Sequence, residues 1–199
     1  GALYSRLGHA ALRMQCPEHG LDYVFTYEAE DASTKVLRFF AGKLKMGMMA
    51  IPPELYFDAC REFDRGCRQY TLNLPIEAKR HLWKVLDDHL LEGINLPYDY
   101  LHRGCANSVL HSLKDGVKPL QIAYGPWSEE YELTRREIGH KALSSSKWTR
   151  VFLHLVCGGE IDWKCLNEEK VITPEQLLQV LSTASVNGIP VIASEPETI

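Results

Sequence analysis

Residues 9–27 read HAALRMQCPEHGLDYVFTY, and this stretch predicts a β-hairpin. Segments 9–14 and 21–27 are strand-like, and the second carries aromatic residues at every second position, which is typical of a half-buried strand. A Pro-Glu-His-Gly turn at 17–20 joins the two segments. We therefore expect a small antiparallel sheet near the start of the chain.

Strands and helices are intermixed after this hairpin. The most regular helical periodicity runs from Pro75 to Leu91 and closes at Gly93 and Pro97. Met46, Met48 and Met49 fall in a strand-like segment, and we prefer a core strand to the alternative of a flexible groove for acyl chains. The other elements predicted up to residue 118 are a helix at 34–41, a helix from 53 to about 65, a strand at 68–74, an extended piece with Tyr98, Tyr100 and His102 on one face, and a helix at 106–113.

The C-terminal third is predicted to be mostly helical, with segments near 128–139, 145–157 and 174–185 and a last strand at 190–193. Thr173 to Gln176 forms a capping box with proline at the first helical position. Without repeats or a Pro/Ser linker, residues 1–199 are expected to form one α+β domain. Its core spans about residues 1–118, and a helical extension of about 119–199 packs on that core.

Composition excludes several classes of protein. The 199 residues are 45% hydrophobic and 24% charged, which is typical of a globular protein. With 22 basic and 26 acidic side chains the formal charge is −4, so phosphate backbones find little to bind and nucleic acid is not expected as a partner. No apolar stretch approaches the roughly 18 residues of a membrane span. The oligomeric state stays open.

The six cysteines contain no C-x-x-C spacing, so neither a metal nor a cofactor is expected. Cys60 and Cys67 would lie about 10 Å apart on one helix, and only a break at Gly66 would permit a bridge. We favour reduced thiols. Cys60 and Cys157 are interpreted as small core residues, while Cys16 and Cys165 have no local activating feature.

Cys105 is the candidate nucleophile. Gly104 is expected to allow a sharp turn, which places the sulfur at a helix N-terminus where the dipole favours thiolate. Lowering a thiol pKa from about 8.5 to about 7 requires roughly 2 kcal/mol, whereas a helix terminus supplies about 0.3–1 kcal/mol when exposed. A base is therefore needed as well.

Eight histidines could supply that base. His81 and His89 lie on the long predicted helix, and His111 lies about 9 Å along the helix that Cys105 begins. His102 is close to Cys105 in sequence and is one candidate. His9, which follows Gly8 at the start of the hairpin, is the other, and the residues alone do not choose between them.

Two segments carry a family resemblance. Residues 5–13 match an S-x-x-G-H-x-A-L-R motif, and residues 98–105 match Y-x-Y/F-x-x-D-N-C in its tyrosines and its cysteine. Further matches are V-F-N-Y-G at 24–28, L-x-L at 72–74, W-x-R at 148–150, G-x-x-x-D at 158–162 and P-E-x-L at 174–177. The chain thus resembles a bacterial family of envelope domains that includes the extracytoplasmic domain of the lipoprotein intramolecular transacylase.

This resemblance implies a permuted papain-like fold in which the catalytic histidine, His9, precedes the nucleophile, Cys105. Cys105 would attack an ester or amide carbonyl, and His9 would take and return the proton while a thioester passes its acyl group to water or an amine. The implied substrate is a lipid, lipoprotein or peptide in the bacterial periplasm or extracytoplasmic envelope. The export signal that this location requires is not visible in this sequence.

The chain departs from the family motif at several positions. Arg103-Gly104 replaces Asp-Asn before the cysteine, Thr26 replaces an asparagine, and Asn107-Ser108 replaces Thr-Arg. A catalytically inactive binding module is therefore the alternative function. Residues considered for supporting or substrate-binding roles are Arg13, Tyr27, Tyr98, Tyr100, His102 and Arg103, although an ion pair for Arg13 and a core position for Tyr27 are preferred.

Overall fold

The computed structural model describes residues 8–30, 34–35, 38, 43–62, 66–93, 95–98, 102–126, 134–137, 162 and 171–199. Its elements in chain order are β1 (Ala11–Cys16), β2 (Leu21–Ala29), β3 (Lys45–Ile51), α1 (Pro53–Glu62), β4 (Arg68–Gln69), α2 (Ile76–Glu92), β5 (Leu96–Pro97), α3 (Cys105–Gly116), β6 (Ile122–Ala123), α4 (Pro174–Ser182), β7 (Ser185–Val186), β8 (Ile189–Pro190) and β9 (Glu197–Thr198).

The predicted hairpin is confirmed. β1 and β2 pair antiparallel with Ala11 opposite Thr26, and the turn between them ends at Gly20, whose φ of 62° is left-handed. β3 and β5 extend the pairing into a four-stranded sheet of order β1-β2-β3-β5, antiparallel throughout. The described part of the chain is thus a mixed α and β structure built around a small antiparallel sheet.

The two faces of this sheet carry different side chains because neighbouring residues on a strand point to opposite sides. One face packs on α2 and α3: Phe25 makes an edge-to-face contact with Trp83, and Tyr27 contacts α3 through Ser112. Met46 and Met48 are buried in the core, as predicted, whereas Met49 is 45% exposed.

The opposite face of the hairpin carries Arg13, Thr26 and Glu28 and meets α1. The Arg13 guanidinium lies 5.6 Å from the centre of the Phe57 ring on that helix. The predicted helix from residue 53 ends at Glu62 within the described residues, and Leu55 on it is exposed. This face is therefore more polar than the one that covers α2 and α3.

Helices α2 and α3 pack closely through a glycine. A Cβ atom on Gly116 would lie 2.6 Å from the Leu82 Cβ atom, closer than side chains can approach. Leu82, Leu86, Leu110 and Leu113 are fully buried at this interface and around it. Tight packing here fixes α3, and with α3 the position of its first residue, Cys105.

The C-terminal segment shares this core. Val171, Leu177, Val180 and Val191 belong to the same hydrophobic cluster as the sheet and α3. The predicted capping box is present. The Thr173 side chain accepts a hydrogen bond from the Gln176 N–H, and the Gln176 side-chain oxygen accepts one from the Thr173 N–H.

Two predicted elements are present but shorter than predicted. Helix α4 ends at Ser182, and the chain continues as a hairpin of β7 and β8. Asn187 and Gly188, with φ values of 52° and 76°, form its two-residue turn, whose left-handed residues suit a tight hairpin. Residues 68–74 contain only the two-residue strand β4, paired with β9, and an isolated bridge from Leu72 to Ile192. The predicted helix at 145–157 lies outside the described residues, as do most of those at 34–41 and 128–139.

Candidate active site

Cys105 is the first residue of α3, so its backbone N–H lies at the positive end of the helix dipole. The preceding residue, Gly104, caps the helix with φ of −93° and ψ of −178°. These angles are open to any residue, so the turn does not require glycine, contrary to the expectation from the sequence. A Cβ at position 104 would meet nothing within 4 Å, so there is also room for a side chain at this position.

The structure brings His9 and Cys105 together. Burial is the largest influence on the pKa of Cys105 and raises it, because the low-dielectric interior disfavours a charged thiolate. The hydrogen bond from His9, the charge of its imidazole, and the backbone N–H groups of Ala10 and Ala106 act in the opposite direction and outweigh burial. The pKa of Cys105 therefore lies below its usual range, which is the condition for a reactive thiol.

Gly8 positions the histidine. Its φ of +82° is a left-handed conformation that L side chains rarely adopt. A Cβ there would also lie 3.2 Å from the Cγ of Pro174, the first residue of α4. The glycine before His9 therefore lets the chain pass closely over the start of α4 and enter β1 with the imidazole facing α3.

A chain of hydrogen bonds holds the other side of the imidazole. The Nε2 atom of His9 lies 2.5 Å from the Thr26 Oγ1 atom, and the Thr26 hydroxyl donates to the Glu28 Oε1 atom at 3.0 Å. Since Thr26 has a single proton and gives it to the carboxylate, its oxygen accepts from His9, and Nε2 carries a hydrogen. The same carboxylate oxygen lies 3.4 Å from Nε2.

Glu28 is a site residue that sequence reasoning missed. The hairpin register contains the signal for Glu28: Ala11 faces Thr26, so the residue two positions before Ala11 faces the residue two positions after Thr26.

Two of the predicted supporting residues have structural partners. The Nε and Nη2 atoms of Arg13 donate to the two carboxylate oxygens of Asp22 at 2.9 and 2.6 Å, and Nη1 donates to Gln69 at 3.0 Å. Tyr27 is 3% exposed, and its hydroxyl lies 2.6 Å from His89 and 2.7 Å from Ser112. The preferred interpretations, an ion pair for Arg13 and a core position for Tyr27, match these contacts.

The remaining predicted residues belong to the chain segment that precedes α3. Tyr98 is half-buried, and its backbone N–H donates to the Leu44 carbonyl at 2.9 Å. His102 is half-buried in a turn, Arg103 is exposed, and Tyr100 lies outside the described residues. His9, rather than the rival His102, is the histidine that is hydrogen-bonded to Cys105.

The interpretation of Cys60 as a small core residue is wrong. Cys60 is half-buried, and its thiol is hydrogen-bonded to that of Cys67. The two come together because α1 ends at Glu62, before Gly66, so the eight residues from 60 to 67 do not form one continuous helix. Within the described residues, no cluster of three or more His, Cys, Asp or Glu side chains is arranged to hold a metal ion.

These features define an α and β domain whose candidate site is a cysteine and histidine pair at a helix start. Residues 1–136 match the family model described as the Lnb N-terminal periplasmic domain, and the chain belongs to this family. The predicted resemblance to the family of the lipoprotein intramolecular transacylase is thereby confirmed, as is the periplasmic location. No helix among the described residues is long and apolar enough to cross a membrane. No curated protein and no solved structure matches the chain.

Proposed function

We propose that this domain is a cysteine-dependent acyl hydrolase or acyltransferase of the bacterial envelope, with a permuted papain-like arrangement of His9 and Cys105. The observation that carries the proposal is the hydrogen bond between these two side chains at the start of α3, together with a Cys105 pKa below its usual range. A buried cysteine without such partners would keep its proton and remain unreactive.

In the first step the Cys105 sulfur attacks the carbonyl carbon of an ester or amide. A C–S bond forms, and the carbonyl π electrons move to oxygen. When the tetrahedral intermediate collapses, the bond to the leaving alcohol or amine breaks, and His9 donates a proton to that leaving group. Since Nε2 is engaged with Thr26, the Nδ1 atom is the one that exchanges this proton.

In the second step water or an amine attacks the thioester. The neutral His9 removes a proton from the attacking atom, the C–S bond breaks, and the electrons return to sulfur as thiolate. Water gives a free acid, and an amine gives an amide. The Ala10 and Ala106 N–H groups, which hydrogen-bond the sulfur, stabilise the thiolate at the start and end of this cycle.

Thr26 and Glu28 orient the base. The hydroxyl of Thr26 holds the Nε2–H of His9, and the Glu28 carboxylate lies close enough to stabilise the imidazolium that forms when His9 is protonated. Thr26 stands where the family motif has asparagine, and its hydroxyl oxygen accepts a hydrogen bond from the imidazole N–H. This departure from the motif therefore does not deprive the histidine of a partner.

The substrate class rests on the family. The family is that of the N-terminal periplasmic domain of Lnb, the lipoprotein intramolecular transacylase, and we propose an acyl ester or amide of an envelope lipid, lipoprotein or peptide as the substrate. Replacement of Asp-Asn by Arg103-Gly104 favours the second candidate function, a binding module of the same fold that no longer catalyses acyl transfer.

Intact-protein mass spectrometry separates the two functions. The protein is incubated with p-nitrophenyl acyl esters and with a diacylglyceryl-cysteine peptide, then quenched in acid. We expect an acyl adduct on Cys105 that is absent from Cys105→Ala and retained in Cys16→Ala, which removes another half-buried free thiol. Ligand binding without any adduct would establish the binding module, and an adduct that persists in Cys105→Ala would exclude Cys105 as the nucleophile.

A further inference from the structure

A second pair of cysteines lies outside the proposed catalytic pair. Cys60 lies in the last turn of α1, and Cys67 immediately precedes β4. Both are half-buried free thiols, and their side chains are hydrogen-bonded to each other. Contact between two sulfurs is the geometric requirement for a disulfide, since the Cβ atoms of a bridged pair lie only about 3.5–4.5 Å apart.

The environment of this pair favours an uncharged disulfide over charged thiolates. Burial, reinforced by the neighbouring Cys60, raises the pKa of Cys67. The low-dielectric environment that disfavours a thiolate places no such penalty on a disulfide, which carries no charge. The pair is therefore poorly suited to be a nucleophile and better suited to a structural cross-link.

The chain on both sides of the pair is anchored. The Cys67 carbonyl accepts a hydrogen bond from the Ile199 N–H at 3.1 Å, and β4 pairs with β9 directly after it. On the other side, Cys60 belongs to α1, whose Phe57 ring lies against the Arg13 guanidinium of the hairpin. A bond here would connect the end of α1 to the β4 and β9 pair.

We propose that Cys60 and Cys67 form a disulfide in the periplasm. The periplasm is an oxidising compartment in which disulfides form and persist. Two S–H bonds break and one S–S bond forms, while two electrons and two protons pass to a disulfide oxidant, which is reduced to two thiols. The proposal rests on the location of the domain and does not depend on acyl transfer.

Thiol trapping and peptide mapping test the bond. The reduced protein is equilibrated with oxidised glutathione, the remaining thiols are blocked with N-ethylmaleimide, and tryptic peptides are mapped without reduction. Because Arg61 and Arg65 separate the two cysteines, a disulfide yields two peptides joined through Cys60 and Cys67, with the loss of two hydrogens. We expect the same linked peptides in protein isolated from the periplasm under blocking conditions.

Matched variants make the result specific. Cys16→Ser should leave the linkage intact, whereas Cys60→Ser and Cys67→Ser should each abolish it. Cys105→Ser should also retain the linkage, which shows that the reactive thiol is not a bonding partner. Full N-ethylmaleimide labelling of Cys60 and Cys67 after oxidation, or a bond from either to a different cysteine, would overturn the proposal whatever the outcome for acyl transfer.

Discussion

The reactivity of Cys105 depends on a competition between burial and hydrogen bonding at one sulfur atom. Burial alone would raise the pKa of the thiol, and the donors from His9, Ala10 and Ala106 reverse that effect. Because an acid with a lowered pKa stays ionised to lower pH, thiolate should persist below the usual thiol pKa of about 8.5. The thiolate should disappear only as the pH falls through the lowered value.

The pH profile of alkylation measures this pKa. Iodoacetamide should modify Cys105 faster than Cys16 at about pH 6, and His9→Ala should move the midpoint of the Cys105 profile upward, since burial remains while the imidazole is lost. Rates are read by mass spectrometry at each pH. A Cys105 midpoint at or above the usual thiol pKa of about 8.5 in the native protein would contradict the lowered pKa.

Thr26 provides a second test at the residue scale. Thr26 is fully buried, and Thr26→Val keeps its shape but leaves the half-buried Nε2–H of His9 without its acceptor, which costs about 1–3 kcal/mol. We expect kcat for acyl transfer to fall roughly 5- to 150-fold, with a small change in KM. Thr26→Ser retains the hydroxyl and serves as the matched control. Equal kcat for the two variants would remove Thr26 from the positioning of the base.

Between elements, the junction of the hairpin with α4 determines where His9 lies. The backbone at Gly8 is left-handed and passes close to Pro174, so Gly8→Ala introduces both a strained φ and a close contact. Gly20→Ala is the matched control, because Gly20 is also left-handed, with φ of +62°, but has open space around it and lies at the far end of β1.

Both glycine variants should lose about 1–2 kcal/mol of unfolding free energy from the left-handed alanine. Only Gly8→Ala should also slow the alkylation of Cys105, since it displaces the imidazole. Urea unfolding and the alkylation assay together give the two readouts. If both variants slowed alkylation to the same extent, the effect would belong to general destabilisation and not to the placement of His9.

Across the whole molecule, the segment beyond the family match is part of one hydrophobic core. Buried aliphatic residues in this segment include Val171, Leu177, Val180, Leu181, Val186 and Val191. At about 1.5–3 kcal/mol for each buried side chain, their burial contributes roughly 10 kcal/mol or more. A typical domain has only about 5–15 kcal/mol of net stability.

A chain ending at residue 136, where the family match ends, should therefore show no cooperative thermal transition. A control chain ending at residue 193 loses β9 and the exposed tail but keeps the buried aliphatic residues, and it should unfold cooperatively at a lower Tm. Circular dichroism during heating measures both. A cooperative transition in the shorter chain would show that the first 136 residues fold without this segment.

Local patterns in the sequence were sufficient for several elements. The hairpin was predicted from alternating apolar residues and a Pro-Glu-His-Gly turn. Helix α2 was predicted from the helical spacing of its apolar residues, and the cap at Thr173 from the residues that follow it. The end of α4 and the extent of β4 were predicted wrongly. Short strands of two residues depend on a partner distant in sequence, such as β9 for β4, and local composition carries little information about them.

By itself the sequence determined that Cys105 lies at the start of a helix, that His9 lies just before the hairpin, and that both lie in the motifs of a periplasmic family. Tertiary structure alone decided that His9 rather than His102 bonds the sulfur, that Thr26 and Glu28 hold the imidazole, and that Cys60 meets Cys67. The physical reason is the distance along the chain over which each effect acts. Periodicity and capping act over a few residues, whereas these contacts require the hairpin, α1 and α3 to pack together first.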